Sequence, residues 1–169
     1  MSTRINLCSG QRPFETGWTN VDVQERWKPD VVADGANMPM FADGSAEYIV
    51  IHHGLEHFGC GEADAMLREC YRILQPQGRL LVFVPDWRTL AQRWLTHQID
   101  DYIYAVNLYG AYMNDEADRH KWIVTFDTLS KSLRSVGEWS EIKHFDWRKI
   151  GGADIAGPDW WIAGYEAVK

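Results

Sequence analysis

Four histidines and one glutamate, His52, His53, His57 and His120 with Glu56, are the side chains here whose types suit proton transfer. Imidazole titrates near neutrality, so a histidine within hydrogen-bond reach of a substrate hydroxyl or protonated amine can act as its base. His53 and His120 are the favoured pair: one follows a buried strand, the other lies in a later aromatic-rich segment. Glu56 and His57 open a helical region after that strand, where holding a loop by hydrogen bonds is the alternative role. A second group suits ligand binding. The run Arg4-Ile5-Asn6-Leu7-Cys8-Ser9-Gly10 is a short apolar strand ending in small residues, and Asn20-Val21-Asp22-Val23 is a second strand ending at an acid. Small residues let a ligand approach the backbone, and such an acid can accept hydrogen bonds from ribose hydroxyls.

These residues need elements to position them. A third short strand, Asp30-Val31-Val32-Ala33, ends at Asp34-Gly35, and Asp43-Gly44-Ser45 marks a turn. Glu47–Ile51 and Arg79–Pro85 are continuous apolar runs of the kind buried on both sheet faces. Glu62–Gln75 is the clearest helix, with Ala63, Met66, Leu67, Cys70, Ile73 and Leu74 on one face. Gln75-Pro76-Gln77-Gly78 fits a type I turn. Trp87–His97, Asp100–Tyr109 and Asp127–Val136 read as further helices, the last stopped by Gly137. Trp139–Phe145 and Trp161–Val168 are the closing strands, separated by the glycine-rich segment Gly151–Gly157. Seven strands with helices between several of them give a single α/β domain over 1–169 with a mainly parallel, Rossmann-like sheet.

Composition narrows the function. The formal net charge is −7, which argues against nucleic acid as a partner, because basic residues must displace its counterions. Three scattered cysteines form no CxxC pair and point to a reducing compartment. With no apolar leader run and no membrane-length stretch, the expected location is the cytoplasm, without membrane insertion. Of nine tryptophans, most lie from Trp87 onward, and packing is the expectation for each of them.

The order Ile5-Asn-Leu-Cys-Ser-Gly10, Gly17-Trp-Thr-Asn-Val-Asp22, Asp34, Met38-Pro-Met-Phe41, His53-Gly-Leu-Glu-His57, Leu67 to Leu80 and Val84-Pro-Asp86 resembles the class I S-adenosylmethionine-dependent methyltransferases. It is most similar to a short subgroup with an LNLGCG…GWxNVD…HxLEH pattern. His120-Lys-Trp followed by Thr125-Phe-Asp127 resembles that subgroup's segment before the last helix. The resemblance implies S-adenosyl-L-methionine as cofactor. Leu7, Cys8, Ser9 and Gly10 would pass its methionine part, and Asp22, followed by Val23, would hold its ribose. Asp34 would sit by the adenine amino group, with Gly35 and Ala36 at the ring edge. Ile51, His52 and His53 would face the methionine amino group, largely through backbone carbonyls.

Residues 87–125 then form the variable segment over an acceptor pocket. Trp87, Arg88, Tyr102, Tyr109, Tyr112 and Trp122 could stack on a flat or sugar-like small-molecule or glycan acceptor. Where the family opens a helix after Gly10, this chain has Gln11-Arg12-Pro13-Phe14-Glu15-Thr16, so helices around strands one to three are reduced. Something else must cover that face: Trp18, Trp27 or a second copy in a homodimer. The same thinning motivates a rival, a non-catalytic methyltransferase-fold scaffold. His53-Gly-Leu-Glu56-His57 also matches the H-x-x-E-H zinc-hydrolase pattern. Gly54 weakens a helix there and no downstream third ligand stands out, so no metal is expected. A nicotinamide dehydrogenase ranks lower still, since G-x-G-x-x-G is absent.

Overall fold

The computed structural model describes residues 3–11, 13–110, 116–146 and 162–169. Seven strands, β1 (Thr3–Leu7), β2 (Thr19–Asp22), β3 (Val31–Val32), β4 (Ala46–His52), β5 (Leu74–Pro85), β6 (Glu141–His144) and β7 (Ile162–Val168), share one sheet. Their order is β3-β2-β1-β4-β5-β7-β6. The first five run parallel, and β7 lies antiparallel between β5 and β6. This is the expected Rossmann-like, mostly parallel α/β sheet. Trp161, the segment Gly151–Gly157 and Tyr112 lie outside the described residues.

Four helices accompany the sheet: α1 (Cys60–Ile73), α2 (Trp87–Leu95), α3 (Asp101–Tyr109) and α4 (Phe126–Val136). The apolar face read from α1 is the one it buries. Ala63, Met66, Leu67, Cys70 and Ile73 are all fully shielded against Ile5, Leu7, Ile49, Ile51 and Leu80 of the sheet. Leu129 and Leu133 of α4 join the same core. Asp86, which follows β5, caps α2 by accepting from the Arg88 and Thr89 amides and from the Thr89 hydroxyl.

Two local readings change. Gln77 has φ +65°, which the third position of a type I turn does not have, so the Gln75–Gly78 turn is of another type. Gly137 ends α4 in extended backbone at φ −171°, open to any residue. Its glycine is required sterically, since a Cβ there would sit 2.4 Å from the Tyr71 ring.

Among the described residues no helix follows β1, and a single 3-10 turn, Glu25–Trp27, lies between β2 and β3. On the face away from α1, Val50, Leu81 and Phe83 are covered by Phe14, Trp18, Tyr48, Phe145 and Ile162. Phe14 and Trp18 meet edge to face at 5.1 Å, so Trp18 does take over part of a helix's work. Trp27 does not join this cluster, and its ring lies under the Arg26 guanidinium at 4.5 Å.

Asn20 fastens this loop-built cover. Its side-chain oxygen accepts from the Phe14 amide at 2.7 Å and from Asn6 Nδ2 at 2.9 Å. Its amide group donates to the Phe14 carbonyl and to Asp30 Oδ2. One buried amide thus ties the β1–β2 loop to the β2–β3 connection. That explains, in physical terms, the asparagine of the Gly17–Asp22 motif.

Candidate functional site

Strand order reverses between β1 and β4: the chain proceeds outward through β2 and β3, then returns to add β4 and β5. In such sheets ligands bind beyond the carboxyl ends of the strands at this point. Leu7 pairs with both Val21 and Ile51, so the loops after Leu7, Asp22 and His52 leave the same edge.

At the end of β1 the backbone turns sharply. Cys8 takes φ +58° and Gly10 φ +49°. The Ser9 amide donates to the Val21 carbonyl at 3.1 Å, extending the ladder by one step. Cys8 packs against Gly54 so closely that a Cβ on Gly54 would lie 2.6 Å from its own Cβ. Burial first, and the nearby Asp22 charge second, push the Cys8 thiol far up, so it stays protonated and is no nucleophile. Ser9 is 5% exposed, and its hydroxyl oxygen is shielded without a hydrogen-bond partner.

Asp22 is 7% exposed, and its two carboxylate oxygens divide their work. Oδ2 accepts from the Gly10 amide and Oδ1 from the Gln24 amide, both at 2.8 Å. The expected binding loop and the expected ribose acid are therefore directly joined. Val23, beside them, is 63% exposed.

Asp34 is exposed, and its Oδ1 accepts from the Ala36 amide at 2.9 Å, which is ordinary Asx-turn chemistry. Gly35 is buried beneath it, where a Cβ would meet Met66 Cε at 2.8 Å and Leu7 Cδ1 at 3.5 Å. The following loop is stapled to α1. Glu69 Oε2 accepts from the Met38 amide at 2.7 Å. Arg72 donates to the Phe41 and Met38 carbonyls at 2.9 and 3.1 Å and pairs with Glu69 and Asp43. Its guanidinium is the main cause that holds the Glu69 carboxyl below the usual range. Sequence reasoning gave Glu69, Arg72 and Asn20 no positioning role. The i, i+3 acid–base pair on α1 was the available signal for the first two.

The acid–base group converges as one cluster. Ile51 is fully buried, and the His53 amide continues the ladder by donating to the Phe83 carbonyl at 2.8 Å. His53 takes φ +51°, and its Nδ1 lies 3.0 Å from Glu56 Oε1. His52 meets the His53 ring edge to face at 4.6 Å. Glu56 is fully buried in a 3-10 turn, Leu55–His57. Burial alone would raise its pKa, but the His53 hydrogen bond and the His53, His57 and His120 imidazoles outweigh it and hold the carboxyl below the usual range.

His120 comes from far along the chain. Its Nδ1 lies 2.8 Å from the Asn107 carbonyl, and its amide donates to the Tyr109 carbonyl at 3.0 Å, satisfying two carbonyls at the end of α3. A carbonyl only accepts, so the Nδ1 proton sits on that bond and Nε2 carries the lone pair. The next two amides, of Lys121 and Trp122, both donate to the Glu56 carbonyl, at 2.8 and 3.2 Å. His57 and His120 meet edge to face at 4.8 Å, and Trp87 lies 5.9 Å from His120. Burial is the chief cause that lowers the His120 pKa, so it is neutral at pH 7. Trp122, which could have stacked on an acceptor, takes the packing role expected of the tryptophans and is 8% exposed within the core. Tyr102 and Tyr109 are 68% and 63% exposed.

Residues 15–82 match a family model described as a methyltransferase domain. The chain is 28% identical over 145 residues to a demethylmenaquinone methyltransferase of Corynebacterium kroppenstedtii, covering 76% of this chain and 56% of that protein. A demethylmenaquinone methyltransferase of Streptomyces griseus is 27% identical over 151 residues, covering 85% and 62%. The chain thus spans little more than half the length of these curated relatives. Among solved structures, a SAM-dependent methyltransferase from Archaeoglobus fulgidus superimposes with a TM-score of 0.66 at 16% identity, over 99% of this chain and 86% of that one. One from Methanosarcina mazei gives 0.57 at 15% identity, over 99% and 92%. The fold is that of the class I S-adenosylmethionine-dependent methyltransferases, as the motif order implied.

Proposed function

We propose that this domain transfers a methyl group from S-adenosyl-L-methionine to a hydroxyl or amine of a small-molecule or glycan-type acceptor. The observation that carries the proposal is the joining of the Ser9–Gly10 turn to Asp22 at the β1/β4 switch point, beside the His53–Glu56–His120 cluster. The cofactor fits the residues present. The shielded Ser9 hydroxyl has a hydrogen bond to give or accept, and each Asp22 oxygen keeps a lone pair beyond its backbone amide. Bound there, S-adenosylmethionine supplies an activated methyl group on a sulfonium.

Leu7 to Gly10 pass the methionine part, with the Ile51 to His53 backbone opposite. Asp22 holds the ribose diol, and Val23 lies beside it. Asp34, Gly35 and Ala36 border the adenine. The chain's remaining work is to orient the acceptor and receive its proton. His53 is built for this. With its Nδ1 proton on Glu56, its Nε2 is the proton acceptor, and the buried carboxylate stabilises the imidazolium that results. His120, neutral through burial, is the second candidate base. Exposed Tyr102 and Tyr109 offer flat faces for an acceptor within the 87–125 segment. The names of the curated relatives make quinol-type rings the first acceptors to try, with sugars and amines after them.

Calorimetry with S-adenosylhomocysteine, followed by label transfer from S-adenosylmethionine to such an acceptor panel, tests the proposal. Absence of any binding would favour the second reading, a methyltransferase-fold scaffold. The lack of a helix after Gly10 among the described residues is the observation behind that reading. A second copy against the Phe14–Trp18 face belongs to the proposal too, and light scattering at micromolar concentration that reads a monomer removes it. Among the described residues no helix is long and apolar enough to cross a membrane.

A further inference from the structure

The Glu56 cluster contains more than a base and its carboxylate. A carboxylate oxygen of Glu56, one ring nitrogen of His57 and one of His120 all lie within 4.8 Å of one another. Two imidazoles and a carboxylate are the donor set of catalytic zinc sites, which use three protein ligands and leave a fourth position open. We infer that Glu56, His57 and His120 bind a divalent transition-metal ion, with zinc as the first candidate.

Three further observations support a built site. Glu56 is fully buried, yet only Oε1 is engaged, by His53; Oε2 is shielded and has no hydrogen-bond partner. His57 Nδ1 is likewise shielded and unpartnered. Leaving a buried carboxylate oxygen unsatisfied is costly, and a cation removes that cost. The ligands also have the outer supports that metal sites use. His53 steadies the Glu56 carboxylate, and the Asn107 carbonyl takes the Nδ1 proton of His120, which turns its Nε2 lone pair inward as a donor. Finally, the Lys121 and Trp122 amides bind the Glu56 carbonyl, so the two halves of the site are fixed to each other by backbone.

The nitrogen donors select zinc, cobalt or nickel over magnesium or calcium, which prefer all-oxygen shells. Tetrahedral donors about 2.1 Å from zinc lie about 3.4 Å apart, so the set must close by up to ~1.4 Å. With the Glu56 carbonyl held by the Lys121 and Trp122 amides, this closure falls to side-chain rotation, above all of His57, whose Nδ1 is unpartnered. This arrangement differs from the H-x-x-E-H pattern. His53 is a support and not a ligand, and the missing third ligand is His120, supplied by the fold. With His120 on the metal, His53 is left as the base for methyl transfer.

The test uses the full chain, freed of any histidine tag and stripped with a chelator. Zinc is titrated by calorimetry, and cobalt by visible absorption, without cofactor or acceptor. One equivalent of zinc is expected, with cobalt giving the intense bands of a four-coordinate site. His120→Ala and the near-isosteric Glu56→Gln should weaken zinc by on the order of 100-fold or more, and His53→Ala by about 10- to 100-fold, the range for outer supports. His97→Ala should change nothing. Sub-stoichiometric zinc in the wild-type chain overturns the inference and leaves the cluster as a water-filled hydrogen-bond network. So does one-equivalent binding that survives both Glu56→Gln and His120→Ala. Because the wild-type titration decides the first outcome, a variant that fails to fold does not protect the idea. Neither result bears on S-adenosylhomocysteine binding, which is measured separately.

Discussion

Truncating Asp22 should do two separable things. Its carboxylate accepts the Gly10 and Gln24 amides at 2.8 Å while only 7% exposed. Each is a bond to a charged group, worth about 1.5–3 kcal/mol. Asp22→Ala loses both and should lower unfolding stability by about 3–6 kcal/mol, whereas Asp22→Asn keeps one acceptor oxygen and should lose about half as much. If the remaining lone pairs also hold the ribose, S-adenosylhomocysteine affinity should fall by a further 1.5–3 kcal/mol, or about 10- to 150-fold. A loop collapse could mimic that loss, so affinity alone is insufficient. The decisive assay is a cycle of wild type and Asp22→Ala against S-adenosylhomocysteine and its 2′-deoxy and 3′-deoxy analogues. The wild type should discriminate against the deoxy ligands, and the variant should not. Equal discrimination by both proteins would refute ribose contact and reduce Asp22 to a loop fastener. Unchanged urea stability in Asp22→Ala would refute the fastening.

Gly54→Ala should destabilise by about 1–3 kcal/mol in urea, since its Cβ would meet the Cys8 Cβ at 2.6 Å and the Ile51 side chain at 3.1 Å. Gly35→Ala should cost less, because its nearest obstacle at 2.8 Å is the flexible end of Met66; the reverse order would sink this ranking. Arg72→Leu strands the Met38 and Phe41 carbonyls and Glu69, and should cost about 2–4 kcal/mol in the same assay. Acid should weaken the fold in two stages. The folded His120 pKa lies below its ordinary 6.5, so its contribution is full above 6.5 and declines as pH falls below it. The folded Glu56 pKa lies below its ordinary 4.5, so its share is full above 4.5 and is lost as pH falls through the folded value. In His120→Gln the first stage should vanish from a pH series of urea midpoints, and persistence of that stage would contradict the assignment.

The parts legible in the sequence were those written in local pattern. The α1 face from Ala63 to Ile73, the apolar runs of β4 and β5 and the acid closing β2 all follow from spacing within one element. Contacts between distant segments were not legible. No periodicity announces that His120 will cap α3 through Asn107 while its neighbours bind the Glu56 carbonyl. Asn20 reads as a strand residue, and only the fold shows that its one amide ties Phe14, Asn6 and Asp30 together. Trp122 shows where composition was enough: packing was the expectation for each tryptophan, and this large ring is buried in the core, not left over the pocket its position also allowed.

Among the described residues no helix follows Gly10 before β2, so the β1–β2 loop is held by other means. Dinucleotide sites place a pyrophosphate on a helix N-terminus, where free amides and the helix dipole meet a dianion. S-adenosylmethionine has no phosphate, so its site has no pyrophosphate to set on a helix N-terminus. The Gly10 amide, which a helix would aim at the ligand, is given to Asp22 instead. What such a site still needs from the β1–β2 loop is a close backbone and a fixed acid. Cys8 packed on Gly54 provides the first, and the Asp22 bonds to Gly10 and Gln24 provide the second. The loop's rigidity then has to come from side chains, and the Asn20 network is the part placed to supply it. Asn20→Ala should therefore weaken S-adenosylhomocysteine binding without altering discrimination against the deoxy analogues, because it loosens the loop but leaves the acid in place. Loss of discrimination in that variant would mean that Asn20 does more than hold the loop.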